Sequence, residues 1–281
     1  MIAGHQQQIA HLKRRADGRQ LGHGYIFFGQ RALGKKQVAL GLASYLEGGE
    51  FSPAASERLI DTLVVRAGEY ESLGIDVVRK IPYFLWQAPA KSAYRTVIID
   101  NAHALTNEAQ NALLKTAEEP PPSALIILLT QSNDLLQPTL LSRFHSLFFS
   151  SVPETEIAQY LQTDRGLNKK TAESIAVQSL GQPGTATALL GNERFQSLLL
   201  AAHELLTTRP LPKDFIKTLI DPEDFNVNEL LDVLIYAASL QARSKEGIAG
   251  NLWHRLLELR NNSELFNLNP RIQLEALISN E

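Results

Sequence analysis

The chain contains no cysteine among its 281 residues. That excludes disulfides, thiolate-ligated zinc and thiol nucleophiles. Seven histidines are present, but none falls into the H-E-x-x-H spacing that sets two imidazoles on one helical face, so no metal site is readable. No run of about eighteen apolar residues occurs. The first ten residues, with Gly4, His5 and three glutamines, lack the apolar centre of a signal segment. These absences predict a soluble, cytoplasmic protein with no membrane partner. The net charge of −3 argues against a surface that grips nucleic acid throughout and leaves room only for local basic patches. Lys13, Arg14 and Arg15 form one such run, which suits either a solvated helix face or a phosphate contact.

What is present is an apolar fraction of 44%, enough to fill the core of one large domain or two to three small ones. The stretch from Gly29 through Gly34-Lys35-Lys36 follows an apolar run, Tyr25 to Phe28, and opens an apolar-periodic helix from Val38 to Leu46. It matches the phosphate-loop pattern G-x-x-x-x-G-K-[ST] at every position but the last. Gly29 and Gly34 permit close approach, the helix amides face an anion, and Lys35 would neutralise charge. At the eighth position the chemistry calls for a hydroxyl to ligate magnesium; Lys36 is a cation that repels it.

The pattern continues in alternating elements. Ile2, Ile9 and Leu12 predict a first helix ending at Asp17-Gly18, and Thr62 to Val65 a second strand before a turn at Gly68-Glu69-Tyr70. Ile75, Val78, Ile81 and Leu85 have helical spacing, with an interruption expected at Pro82. Thr96 to Ile99 is a buried strand ending in Asp100, the usual partner of the magnesium shell in phosphate-loop proteins. Asn101 then stands where a water-polarising carboxylate is often found, and an amide cannot accept the proton. A helix capped by Thr106 runs to Glu118-Glu119, Ala124 to Thr130 is another strand, Pro138 to Ser142 a short helix, and His145 to Phe149 the last strand. Arg143 sits between that helix and strand, a setting suited either to a surface cation or to phosphate recognition. Strand patterns stop near Ser151. Short helices separated by Gly166 and by Gly181-Gln182-Pro183-Gly184 follow, then longer amphipathic stretches at Leu198 to Leu206, Glu229 to Arg243 and Leu252 to Leu265.

On these residues the chain resembles the clamp-loader family of bacterial DNA polymerase III, and within it the delta-prime subunits. The similarity is carried by His23 to Gly29, by Val97 to His103 with Asn111 to Pro121, by Leu140-Leu141-Ser142-Arg143-Phe144, which is similar to the family's Ser-Arg-Cys motif, by Gly181 to Gly184, and by Asn269-Pro270-Arg271 with Leu274 to Leu277. The resemblance implies a three-layer α/β AAA+ phosphate-loop domain with a parallel sheet over residues 1–151, a helical lid over 152–192 and an all-α collar over 193–281. It further implies gamma/tau motor subunits, a delta subunit, the sliding clamp and primed DNA as partners. Arg143, with Ser142, would be the catalytic contribution, offered in trans to a neighbour's nucleotide. Gly29, Gly34, Lys35, Lys36 and Asp100 would form a nucleotide site of reduced competence, compatible with weak ATP or ADP binding but requiring no cofactor. Lys36, Asn101 and Thr185, the last at the place of a nucleotide-sensing arginine, all depart from the motor pattern and favour a stator. The absent cysteines mean that the four-cysteine zinc module of many relatives is missing or metal-free. The alternatives are an ATP-hydrolysing motor of the gamma/tau type, another DNA-processing AAA+ ATPase, and a loop that keeps nucleotide as a structural ligand.

Overall fold

The computed structural model of the chain describes residues 2–53, 59–66, 72–207, 215, 219, 225–243 and 254–260. The chain divides into two compact units, Met1–Ala186 and Thr187–Glu281. The Gly68-Glu69-Tyr70 turn and the matches from Asn269 to Leu277 lie outside the described residues.

The first unit is built on five parallel strands, β1 (Gly24–Phe28), β2 (Thr62–Arg66), β3 (Arg95–Asp100), β4 (Ala124–Thr130) and β5 (His145–Phe148), in the order β2-β3-β4-β1-β5. Every residue of β4 is buried, as expected of a parallel strand covered on both faces. Strand alternation sends side chains to two separate cores. Ile26, Val97, Ile99, Ile126 and Leu128 pack on one face with Ile81, Leu85 and Leu113. Tyr25, Phe27, Ile98, Ile127 and Leu129 pack on the other with Leu12, Val38 and Leu42. The layers that supply those partners are α1 (Gln6–Asp17) and α2 (Lys35–Gly48) on the second face, and α3 (Ile75–Val78), α4 (Ile81–Leu85) and α5 (Asn107–Glu118) on the first. The three-layer parallel sheet is therefore as the apolar runs predict.

Two boundaries differ from the sequence reading. The interruption between Ile75 and Trp86 falls at Arg79-Lys80, before the proline. Pro82 lies in the first turn of α4, where its missing N–H removes no helical bond. Helix α2 starts at Lys35, because Gly34 at φ 93° is its cap, so both lysines lie in the first turn. Thr106 caps α5 as expected, its Oγ1 accepting from the Ala109 amide at 3.2 Å.

After the short α6 (Pro138–Leu141) and β5, the first unit ends in helices. These are α7 (Glu154–Arg165), closed by Gly166 at φ 67°, and α8 (Lys169–Gln178), capped by Asn168 Oδ1 on the Thr171 amide at 2.9 Å. The start of α9 (Pro183–Gly191) completes it. In the second unit, α10 (Glu193–Thr207) and α11 (Val227–Arg243) pack around Ala202, Leu205, Leu230, Leu231, Leu234 and Leu256. Arg194 Nε donates to Glu229 at 2.8 Å between the two helices, and residues 254–260 are helical. Among the described residues no helix is long and apolar enough to cross a membrane.

Candidate functional site

Parallel topology brings the carboxyl ends of β1 and β3 to the same edge of the sheet. There the Gly29–Gly34 loop meets Asp100. The loop is tightly wound: Gly29 has φ 141°, Gly34 φ 93°, and Ala32, a non-glycine residue, φ 56°. A Cβ on Gly29 would lie 2.2 Å from the Phe149 carbonyl oxygen, so this glycine is required for space as well as for torsion.

The two lysines of the loop are both engaged within the chain. Lys35 Nζ donates to the Gly29 and Gln30 carbonyls, each at 2.5 Å. Burial pushes its pKa down to about 8, with Arg31 acting in the same sense and Asp100 opposing. Lys36 Nζ lies 2.9 Å from Asp100 Oδ2, both side chains being largely buried. Asp100 is also the register partner of Arg66, whose Nε is 3.6 Å from the same oxygen. Burial raises the Asp100 carboxyl above its ordinary range, opposed by Arg66, the Asn101 amide, Lys35 and His103.

A magnesium-bound nucleotide, which the loop pattern implies, does not fit this donor set. The hydroxyl that would ligate the metal is replaced by an ammonium, and that ammonium rests on the carboxylate that would complete the metal shell. The peptide amides of the loop remain in place.

The other predicted positions follow local physical rules. Asn101 adopts φ 56°, ψ 52° and caps a short 3₁₀ turn over Ala102–Ala104. This is a left-handed conformation that asparagine tolerates better than most residues, which gives its presence a backbone cause. Thr185 is buried and donates to Gln182 Oε1 at 2.8 Å. One residue earlier, the Gly184 amide donates to the Ala32 carbonyl at 2.8 Å. A Cβ on Gly184 would lie 2.9 Å from that oxygen. The Gly181–Gly184 motif therefore closes directly on the phosphate loop, backbone to backbone.

Ser142 and Arg143 lie apart from the loop, at the C-terminal end of α6. That helix is positioned by buried Gln110, whose Oε1 accepts from the Gln137 amide at 2.9 Å and whose Nε2 donates to Leu105 O at 3.2 Å. Phe144 is buried, and a Cβ on Gly24 would meet its ring at 2.4 Å, so the short helix is also anchored under β1. Arg143 Nη1 donates to Thr139 O at 3.0 Å and Ser142 Oγ at 3.2 Å, while Nη2 donates to Glu118 Oε1 at 2.7 Å. Its guanidinium is a fixed, partly exposed cation.

Three contributors were not singled out in the sequence. Arg66 follows the apolar run of β2, but its place beside Asp100 depends on strand register. Glu118 stood within a recognised motif without a partner. His5 is buried, at φ 60°, with Nε2 2.7 Å from the Leu33 carbonyl and its ring against Phe149. No periodicity marks it.

A parallel sheet with the phosphate loop after β1, a carboxylate closing β3 and helices on both faces defines a phosphate-loop α/β protein of the AAA+ class. Residues 4–153, just over half of the chain, match the family described as DNA polymerase III, delta subunit, and the chain belongs to the AAA+ clamp-loader family of DNA polymerase III. The DNA polymerase III subunit gamma/tau of Mycobacterium tuberculosis is 31% identical over 166 residues, covering 54% of this chain and 28% of that protein. The DNA polymerase III subunit delta′ of Escherichia coli is 31% identical over 136 residues, covering 48% of this chain and 40% of that protein. The chain thus spans less than half the length of these curated relatives. A solved DNA polymerase III gamma-subunit-related protein of Thermotoga maritima shares the fold, with a TM-score of 0.54 at 22% identity and 97% coverage of both chains.

Proposed function

We propose that this chain is the stator of a clamp loader, a delta-prime-type subunit that works by binding and hydrolyses no ATP of its own. In this reading residues 1–151 are the AAA+ domain, 152–192 the lid and 193–281 the collar. They join gamma/tau motor subunits and a delta subunit in the cytoplasm, and the complex places the sliding clamp on primed DNA. The observation that carries the reading is the Lys36–Asp100 pair at 2.9 Å, an internal cation on the carboxylate that a motor needs for its metal. Lys35, turned onto its own loop, supports it.

Arg143, with Ser142, is the residue offered to the neighbouring motor. An arginine supplied in trans accelerates phosphoryl transfer by stabilising transition-state charge, typically by about 10³–10⁵. The rigid seat of Arg143 on Thr139, Ser142 and Glu118 suits that task. Calorimetry of the purified chain with ATP and magnesium, followed by phosphate release on the same sample, tests the stator. No turnover is expected; sustained turnover would overturn it. Arg143→Ala in the reconstituted ring tests the finger, with slower hydrolysis in an intact assembly as the expected result.

A second reading, a motor of the gamma/tau type, rests on a gamma/tau subunit being as similar, at 31% identity, as the delta′ subunit is. It requires that the Lys36–Asp100 pair open for magnesium, and the same phosphate-release assay separates the two.

A further inference from the structure

On the opposite side of β1 from β4, helix α1 and the edge strand β5 form a half-open cavity of about 220 Å³ lined by His11, Arg15, Tyr25, His145, Ser146 and Leu147. His11 and Arg15 are four residues apart on α1 and so share a face. Tyr25 and His145 are register partners across β1 and β5, with ring centroids 5.5 Å apart. Among the described residues that line the cavity there is no aspartate or glutamate.

Two features make this arrangement costly for the protein alone. Arg15 Nε is buried without a hydrogen-bond partner, and an unmatched buried donor, more so a charged one, is among the rarest features of native structures. Three groups able to carry positive charge, His11, Arg15 and His145, also converge with no carboxylate among the described lining residues. Burial lowers the His11 pKa, and Arg15, Arg14 and His145 lower it further. An oxyanion in the cavity relieves both costs: it accepts from Arg15 Nε and supplies the missing charge. The remaining lining groups suit the same ligand. Both imidazoles can donate, and Tyr25 Oη, which accepts weakly from the Gly22 amide at 3.3 Å, keeps its own proton to give.

We infer that the cavity between α1 and β5 is a binding site for a phosphate group, held by Arg15 with His11, His145 and Tyr25. It is separate from the Gly29–Gly34 loop and independent of whether that loop takes nucleotide. The basic run Lys13-Arg14-Arg15 thereby acquires a role: Arg15 is the ligand, and the exposed Arg14 at its side adds field. The phosphate can be free or carried by a nucleic-acid strand, and the two sources share one chemistry.

Side-chain NMR of His11 and His145 in the full chain, titrated with inorganic phosphate, tests the site. Saturable shifts of both histidines are expected. Removing a charged hydrogen bond typically costs about tenfold or more in affinity, so Arg15→Gln is expected to weaken binding by about that factor, while Arg14→Gln leaves most of it. Thermal unfolding of each variant verifies that it is folded, and His145→Gln gives a second variant should Arg15→Gln not fold. A short single-stranded oligonucleotide, with and without a 5′ phosphate, identifies the source. Tighter binding of the phosphorylated form assigns a strand end, equal binding of both assigns backbone phosphates, and binding of inorganic phosphate alone assigns the free ion. The absence of saturable histidine shifts with any of these probes, or equal affinity for folded Arg15→Gln and the unaltered chain, would overturn the inference.

Discussion

Lys36 Nζ stands 2.9 Å from Asp100 Oδ2, so the first turn of α2 is joined by charge to the carboxyl end of β3. Each partner answers a need of the other. The ammonium, short of water at the loop, finds a carboxylate, and the carboxylate, raised by burial, finds a cation.

Replacing Lys36 with Ala should therefore lower stability by about 1–2 kcal/mol, between the values for exposed and fully buried pairs, because Arg66 remains near Asp100. Urea denaturation measures it. Lys36→Thr tests the same pair in the opposite sense, since a hydroxyl beside Asp100 rebuilds the metal-binding pattern. ATP with magnesium should raise the melting temperature of Lys36→Thr above its value with ATP and a chelator. The unaltered chain should show no such difference, and a magnesium-dependent rise of equal size in it would refute the assignment.

A second pair carries the acid stability. The Asp61 carboxylate accepts from the Ala90, Lys91 and Ser92 amides at 2.8, 2.6 and 2.8 Å and lies 3.2 Å from Arg95 Nη1. Burial alone would raise its pKa, but the three amides and Arg95 outweigh it and hold the carboxyl below its ordinary range. The resulting stabilisation is complete above the unfolded carboxylate pKa and is lost as pH falls through the folded value. Asp61→Ala leaves Arg95 buried without its partner and should cost about 3–5 kcal/mol. Asp61→Asn should flatten the fall in the urea midpoint below about pH 4; an unchanged slope would remove Asp61 from that role.

His5 gives a milder, higher window. Burial lowers its pKa, with Lys35 adding to the effect and the Leu33 carbonyl and Glu156 opposing. The folded state therefore holds neutral imidazole, and stability is full above the unfolded value of 6.5 and declines as pH falls from there toward the folded pKa. His5→Gln retains a donor for Leu33 O and cannot titrate. Its stability between about pH 7 and pH 5 should be flatter than that of the unaltered chain, as read by denaturation at closely spaced pH values.

Gly184→Ala should cost about 1–3 kcal/mol, since its Cβ would lie 2.9 Å from Ala32 O and 3.0 Å from Ala32 Cβ. Gly191→Ala, also in α9 but with no atom within 4 Å of the added carbon, serves as the control and should be neutral or stabilising by up to about 1 kcal/mol. Equal effects in thermal unfolding would mean that the contact with the loop carries no weight.

The sheet and the phosphate loop were legible in the sequence because both depend on neighbours in the chain. Uninterrupted apolar runs marked β1, β3 and β4, and the glycine spacing marked the loop between β1 and α2. Thr106 and Gly166 announced helix ends for the same local reason. The partnerships that define the site depend on register and topology. Lys36 was read as a residue that repels a metal, which is sound chemistry, but only the approach of α2 to the end of β3 shows what it attracts. Arg66 reaches Asp100 through the pairing of β2 with β3, and Glu118 reaches Arg143 through the seat of α6 on Gln110. None of these distances is written in composition or periodicity. His5 has no pattern at all; its burial follows from the packing of residues 2–5 beneath the loop.

The bond from the Gly184 amide to the Ala32 carbonyl joins peptide group to peptide group. Sequence drift can exchange every side chain of the loop that would touch a nucleotide and leave this bond standing, provided that position 184 keeps its missing Cβ. A loop held in this way has a second reason to persist once its chemistry fades, as a keystone that fixes where the helices after Ser151 begin.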